Sequence, residues 1–355
     1  MKKIPAILDC VAETTGVQIV GLSLLDRLIV TAHRAGCAPI YLVAKTTPSV
    51  PRARALGIDI TLASEIPELD ESALLINGTV FVETVDLQRV MKEGGRLFSA
   101  DEARLPVGMT TGEAPPVIAG KVAVLVTDAT KVREAERRLW ASLTSNADGI
   151  VDRFLNRPLG RYLSKLLIHA PFSPNQVSIV STLVGILSGC FFARGYFISG
   201  AFLLQISAII DCVDGDLARA LYKESRLGKW IDLVGDQFVH IAVFSGIGFG
   251  LARSDPASPA LALGISAVLG VIISFVVVVC SMQRKGGRKS SSLKKLIDAT
   301  TNRDFSLLVL LLAIAGQLDL FLWMAGIGVH LFWMIALRLQ WRGAGSAQAI
   351  SEKSA

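Results

Sequence analysis

The chain is poor in the residues that staple small secreted domains or zinc modules together. Its 355 residues include five cysteines and four histidines. Cys10, Cys37, Cys190, Cys212 and Cys280 stand far apart with no CxxC pair, which excludes a disulfide framework and a cysteine-based zinc site and leaves them as reduced packing residues. A secretory leader is not expected either, because Asp9 and Glu13 interrupt the apolar run that follows the two opening lysines. The amino-terminal part is therefore expected to stay in the cytoplasm. Above all, charge is scarce in the second half. Long uncharged runs begin after about residue 175, and 52% of the chain is hydrophobic, too much for an ordinary soluble protein of this length. A membrane is implied.

The net charge of +6 does not point to nucleic acid, since the basic residues of the second half cluster beside apolar segments and form no separate basic domain. Anionic lipid headgroups and phosphorylated substrates suit them better. Residues 1–146 alternate short apolar runs with helical patterns: 38–44 and 73–82 are expected as buried strands, 22–35 and 86–93 as helices. This predicts a cytoplasmic α/β domain, with a charged helix over 130–145 leading out of it. Residues 148–170 place apolar side chains at helical spacing among Arg153, Arg157, Arg161 and Lys165. That segment, within 147–172, is expected to lie on the membrane surface with its basic groups at headgroup level; an amphipathic helix packed on the soluble domain is the other reading.

Residues 173–342 predict an all-α domain of six transmembrane helices, at 174–193, 196–219, 229–252, 258–282, 304–318 and 319–340, each near the length that crosses a bilayer. The remaining residues, 343–355, are small and polar and are expected to be a disordered tail. Lys223, Arg226 and Lys229 fall between the second and third spans, and Arg284, Lys285, Arg288, Lys289, Lys294, Lys295 and Arg303 between the fourth and fifth. The opposite connections hold only Arg194 and Arg253. By this asymmetry both termini and both basic loops face the cytoplasm.

Two of these spans contain what a membrane helix avoids. Asp211, Asp214, Asp216 and Arg219 close one, and Asp232 and Asp236 open the next. On a helix, Asp211, Asp214, Gly215, Ala218 and Arg219 share one side, and Gly228, Asp232 and Asp236 form a row at i, i+4 and i+8. Four carboxylates converging near a membrane surface repel one another unless a cation neutralises them, and an all-oxygen ligand set suits magnesium or manganese. Gly215, Ala218 and Gly228 leave the helix surfaces bare for a bulky ligand, and Arg219 supplies a charge for a phosphate. The acids could instead pair with Arg219, Arg226 and Lys229 to hold helices together, or line an ion pathway.

The full pattern is Asp211-x-x-Asp214-Gly215-x-x-Ala218-Arg219, eight residues, then Gly228-x-x-x-Asp232-x-x-x-Asp236. It resembles, at every defined position and spacing, the signature of the CDP-alcohol phosphotransferase family. Ser173-Pro174-Asn175-Gln176-Val177-Ser178 also looks like the segment that precedes the family's first span. The resemblance implies that Asp211, Asp214, Asp232 and Asp236 hold one or two divalent ions on a CDP pyrophosphate, with Asp236 taking the proton of the acceptor hydroxyl. It further implies that Asp214, Gly215, Ala218, Arg219 and Gly228 accommodate the CDP moiety, that CMP is released, and that the protein forms a homodimer. Lys223, Arg226, Lys229, Lys294, Lys295 and Arg303 are candidates for a phosphorylated polyol acceptor. His240 is read as a satisfied buried histidine.

The amino-terminal domain is similar to sugar-phosphate nucleotidyltransferases through Gly21-Leu22-Ser23-Leu24-Leu25-Asp26-Arg27. It lacks the glycine-rich phosphate loop after its first strand, and Thr79 stands where that family commonly has a metal-binding aspartate. An inactive or repurposed fold is expected. The two-part layout resembles bifunctional inositol-phosphate cytidylyltransferase and di-inositol-phosphate phosphate synthase proteins. Three readings follow: a transferase using a CDP-linked lipid such as CDP-diacylglycerol, a transferase using soluble CDP-inositol, and an ion-binding transporter or membrane scaffold.

Overall fold

The computed structural model describes residues 3–10, 16–69, 71–99, 103–111, 116–144, 149–283 and 305–352, with side chains through Gln340. The chain divides into two compact units, one comprising Met1–Leu143 with Arg219–Tyr222 and the other Thr144–Ala218 with Lys223–Ala355.

In the first unit, strand β1 (Ile4–Asp9) is followed by the short β2 (Gln18–Ile19) and β3 (Leu22–Ser23), helix α1 (Leu24–Ala35), β4 (Cys37–Val43), α2 (Pro51–Ala55) and β5 (Ile60–Ala63). Then come β6 (Leu74–Asn77), β7 (Val80–Phe81), α3 (Thr84–Glu93), β8 (Arg96–Phe98), β9 (Arg104–Met109), β10 (Pro116–Ile118), β11 (Val124–Leu125) and α4 (Ala129–Ser142). Seven strands form one sheet in the order β10-β8-β9-β6-β1-β4-β5. Only β9 runs antiparallel to its neighbours. Ala6, Ile7 and Leu8 of the central β1 are buried on both faces, which is why this strand reads as an unbroken apolar run.

Local chemistry sets the boundaries. The expected helix over 22–35 starts two residues later because Ser23 is its N-cap, accepting from the Asp26 amide at 3.1 Å, while residues 22–23 pair with 18–19. The single strand expected over 73–82 is two strands, since the Asn77 side chain accepts from the Thr79 amide at 3.1 Å and from its hydroxyl at 2.7 Å. An asparagine bonded two residues ahead folds the chain into a turn. Burial pushes the Cys10 thiol up to about 12 and the Cys37 thiol to about 11, so both stay protonated at neutral pH, as packing residues do.

The second unit opens with a π-helical turn (Asp152–Asn156) running into α5 (Arg157–Leu167). Phe154, Tyr162 and Leu166 are exposed, as are Arg153 and Lys165, the pattern of a helix lying at an interface. Arg157 departs from the expected headgroup position: its guanidinium bonds the buried Asp216 carboxylate at 2.9 Å, leaving the side chains 12% and 0% exposed.

Among the described residues, five helices are long and apolar enough to cross a membrane: α6 (Pro174–Ala193), α7 (Phe197–Ala220), α8 (Arg226–Ser254), α9 (Ala260–Gln283) and, after the short α10 (Phe305–Ile314), α11 (Leu318–Glu352). Among the described residues, the expected fifth span is helical over Phe305–Ile314. The fifth is cut short because Gly316 adopts φ +69° and the Gly316 and Gln317 amides return to Ala313 and Leu312, closing α10 in a left-handed cap. The tail expected to be disordered is helical backbone as far as Glu352; its alanines favour that state.

Helices α6 and α8 pack backbone to backbone. A Cβ at Gly246 would stand 2.2 Å from the Gly189 carbonyl, and one at Gly250 2.1 Å from the Phe192 carbonyl. Close approach through small residues is how apolar helices associate where lipid offers no hydrophobic drive. Replacing Gly246 by valine is predicted to force this seam open at a cost of at least about 1–3 kcal/mol, read as a lower thermal midpoint of the detergent-solubilised protein.

Candidate metal centre

The acidic residues sit where α7 ends and α8 begins. Carboxylate oxygens of Asp211, Asp214 and Asp232 lie within 4.8 Å of one another. Asp214 is buried, Asp211 half-buried and Asp232 exposed, so the cluster opens at one edge. Like charges this close repel by roughly 3 kcal/mol per pair at an effective dielectric constant near 20, and three pairs approach the whole stability of a typical domain. A divalent cation removes that penalty. The donor set is all carboxylate oxygen, which fits hard ions such as magnesium or manganese.

Helix α6 supplies hydroxyls that orient the acids. Ser181 donates to Asp211 at 3.1 Å, and Ser178 donates to Asp214. Asn175, one turn earlier, reaches the bare side of Gly228: a Cβ there would lie 2.8 Å from Asn175 Oδ1 and 3.1 Å from Ser225 Oγ. On that side, Gly228 leaves room for Asn175 of α6 and for the Ser225 cap of α8. Pro174 and the reciprocal Ser173–Gln176 cap start α6 here. The hydroxyl-bearing positions then recur at helical spacing toward the acids.

Asp236 is not among the three converging acids. It lies one turn further along α8, is 8% exposed, and lines a cavity of about 400 Å³ with Leu233, His240, Phe244, Val271, Phe275 and Met324 among others. His240 packs against the Phe244 and Phe305 rings at 6.0 and 5.2 Å. Gly215, Ala218 and Arg219 are half-buried on α7, while Lys223, Arg226 and Lys229 are exposed around the start of α8. Lys294, Lys295 and Arg303 fall outside the described residues. Ser178, Ser181 and Asn175 were not among the expected site residues; the only signal was the Ser173–Ser178 segment.

The first unit has its own cavity of about 490 Å³, lined by Gly16, Gln18, Gly21, Ser23, Asp26 and Pro51 among others. Its motif side chains are used internally. Arg27 donates to the Ile19 and Val20 carbonyls at 2.8 and 2.9 Å. Asp26 accepts from the Arg52 and Ala53 amides at 3.0 and 2.8 Å, where α2 begins.

Comparison with known proteins bears on the second unit. Residues 172–334 match the family model described as CDP-alcohol phosphatidyltransferase. A bifunctional IPC transferase and DIPP synthase of Thermococcus kodakarensis is 36% identical over 110 residues, 31% of this chain and 25% of the relative. An archaetidylinositol phosphate synthase of Pyrococcus horikoshii is 32% identical over 102 residues, 28% of this chain and 54% of the relative. The match spans about a quarter of the first of these relatives and about half of the second. A crystal structure of Mycobacterium tuberculosis phosphatidylinositol phosphate synthase with CDP-DAG bound superposes with a TM-score of 0.40 at 17% identity, covering 52% of this chain and 94% of that one.

Replacing Ser178 by alanine removes the hydroxyl that orients Asp214 while leaving every carboxylate in place. Manganese affinity, measured by calorimetry on the protein in nanodiscs, is predicted to fall about tenfold, the lower end for residues that orient metal ligands.

Proposed function

We propose that the protein, whose residues 172–334 match the CDP-alcohol phosphatidyltransferase family model, is a membrane transferase that moves a phosphatidyl-type group from CDP-diacylglycerol to a small alcohol or polyol phosphate, releasing CMP. The observation that carries this reading is the convergence of Asp211, Asp214 and Asp232. In this account Asp211, Asp214 and Asp232 would hold magnesium or manganese, and Asp236, one turn along α8, would complete the site. The ion supplies charge stabilisation for the pyrophosphate oxygens. Arg219 bonds a phosphate of the donor, and Gly215 and Ala218 leave room for the nucleotide beside it.

The acceptor hydroxyl oxygen attacks the β-phosphorus, its new P–O bond forming as the bond to the CMP oxygen breaks. Asp236 takes the hydroxyl proton. No covalent enzyme intermediate is needed. The exposed Lys223, Arg226 and Lys229 are suited to a phosphorylated acceptor arriving from the aqueous side. Their positive charge supports a cytoplasmic location for the active site and both termini. The partners are then membrane lipids, the two substrates and a second copy of the chain in a homodimer.

A lipid donor is favoured by the cavity at Asp236, whose predominantly apolar and aromatic lining on α9, α10 and α11 suits an acyl chain. The second reading, transfer from soluble CDP-inositol, is favoured by the likeness to bifunctional relatives. The first unit is proposed to be catalytically inactive, a view supported by Asn77 and Thr79 bonding each other and by Asp26 and Arg27 serving as internal braces.

The test is CMP release by the purified protein with magnesium and CDP-diacylglycerol or CDP-inositol, against a panel of polyols and their phosphates. Asp236→Asn is predicted to lower kcat about 10²–10⁴-fold, the span of general-base catalysis. CMP formed only with CDP-inositol would favour the soluble-donor reading, and the absence of CMP with either donor would overturn both.

A further inference from the structure

Buried polar groups also gather on α7 away from the acidic site. The buried Gln205 and Asp216 share one stripe with the half-buried Ile209 and Cys212, at intervals of four, three and four residues, with Asp211 and Asp214 roughly 160° around the helix from it. The Asp152–Asn156 turn and the start of α5 meet this stripe. Asn156 donates to Asp152 at 2.7 Å and accepts from Gln205, and Arg157 bonds Asp216 at 2.9 Å. Asn156 and Asp216 are fully buried. The two elements come very close at Gly160, where a Cβ would lie 3.0 Å from both Cys212 Cβ and the Ile209 carbonyl.

Such a cluster gives little stability for what it buries, because an ion pair in an apolar setting gains little over well-packed apolar groups of the same volume. What it adds is direction. Each bond is satisfied at one rotation of α7 about its axis, and that rotation also decides where Asp211 and Asp214 face. With side chains at about 5–6 Å from the axis, turning the helix by about 20° displaces a carboxylate by about 2 Å, whereas a metal site tolerates about 0.5 Å.

We infer that Asn156, Arg157, Gln205 and Asp216 form a clasp that positions the metal centre, fixing α7 in rotation so that Asp211 and Asp214 face Asp232. These are positioning residues and touch no substrate. The inference rests on the metal-binding reading of the acidic cluster, and the two readouts below separate the failure of one from the failure of the other.

The experiment uses the full chain in nanodiscs, with Arg157→Gln, Asp216→Asn, Gly160→Val and the apolar pair Arg157→Met with Asp216→Leu. The first readout, taken without metal, is maleimide labelling of Cys212, resolved from the other cysteines by mass spectrometry. Cys10 and Cys37, buried with raised thiol pKa values, report unfolding of the first unit, and circular dichroism reports that of the helical second unit. The second readout is manganese affinity by electron paramagnetic resonance. Each single variant is expected to label several-fold faster at Cys212, with Cys10 and Cys37 unchanged, and to bind manganese about tenfold more weakly. The apolar pair is expected to recover the thermal midpoint but not the manganese affinity. Gly160→Val loosens the same contact with every charge intact and decides the matter if a charge variant does not fold. Unchanged Cys212 labelling, manganese affinity within twofold of wild type in variants that label faster, or recovery of both properties by the apolar pair would each overturn the inference. Wild-type protein that binds no manganese would overturn the metal reading itself, and the inference with it.

Discussion

Three carboxylates held within 4.8 Å at the ends of two apolar helices set the constraint that the rest of the second unit answers. Their mutual repulsion favours any motion that separates them, so the helices that carry them have to be locked. The glycine seam between α6 and α8 does part of this, bringing backbones into contact at Gly189 and Gly246. Toward α7, helix α6 also presents Ser178 and Ser181 to Asp214 and Asp211. Packing and electrostatics therefore meet on α6, which holds α8 through its glycine seam and the α7 acids through its hydroxyls.

The proposed chemistry divides between two surroundings. Asp232, with the exposed Lys223, Arg226 and Lys229, meets water and charged substrates, whereas Asp236 borders an apolar cavity among α8, α9, α10 and α11. A donor with a polar head and apolar tails needs both, and a single helix, α8, presents them one turn apart. The first unit makes a contrasting use of polar residues. Asp26 and Arg27, which look like parts of a nucleotide site in the sequence, are spent on the α2 amide end and on backbone carbonyls. That is consistent with a fold kept for its shape.

What the sequence made legible follows from which forces are local. The aspartate spacing survives into the structure because a helix converts i, i+3 and i+4 directly into one face, and two adjacent helices need only one connection to oppose their faces. The α/β character of residues 4–125 was legible from apolar runs of strand length. Ser178 and Ser181 were not recognised as site residues, because their partners come from another helix and nothing local distinguishes them from serines that bond their own backbone. Arg157 was misread for a related reason. A basic residue beside apolar ones normally reaches for the headgroups, and only the fold reveals Asp216 within 2.9 Å. The fifth span ends earlier than expected, since the left-handed Gly316 closes its helix at Ile314. The expected strand over 73–82 failed at Asn77 and Gly78, a turn signal set inside an otherwise apolar run.

The central claim is that the acidic cluster is a metal site built by helix packing. Electron paramagnetic resonance titration of the wild-type protein with manganese, beside Asp211→Asn, Asp214→Asn and Asp232→Asn, tests it most directly. The account predicts saturable, tight binding in the wild type that every one of the three substitutions weakens strongly, and that magnesium displaces. Manganese binding that is absent, or that survives all three substitutions unchanged, would contradict it.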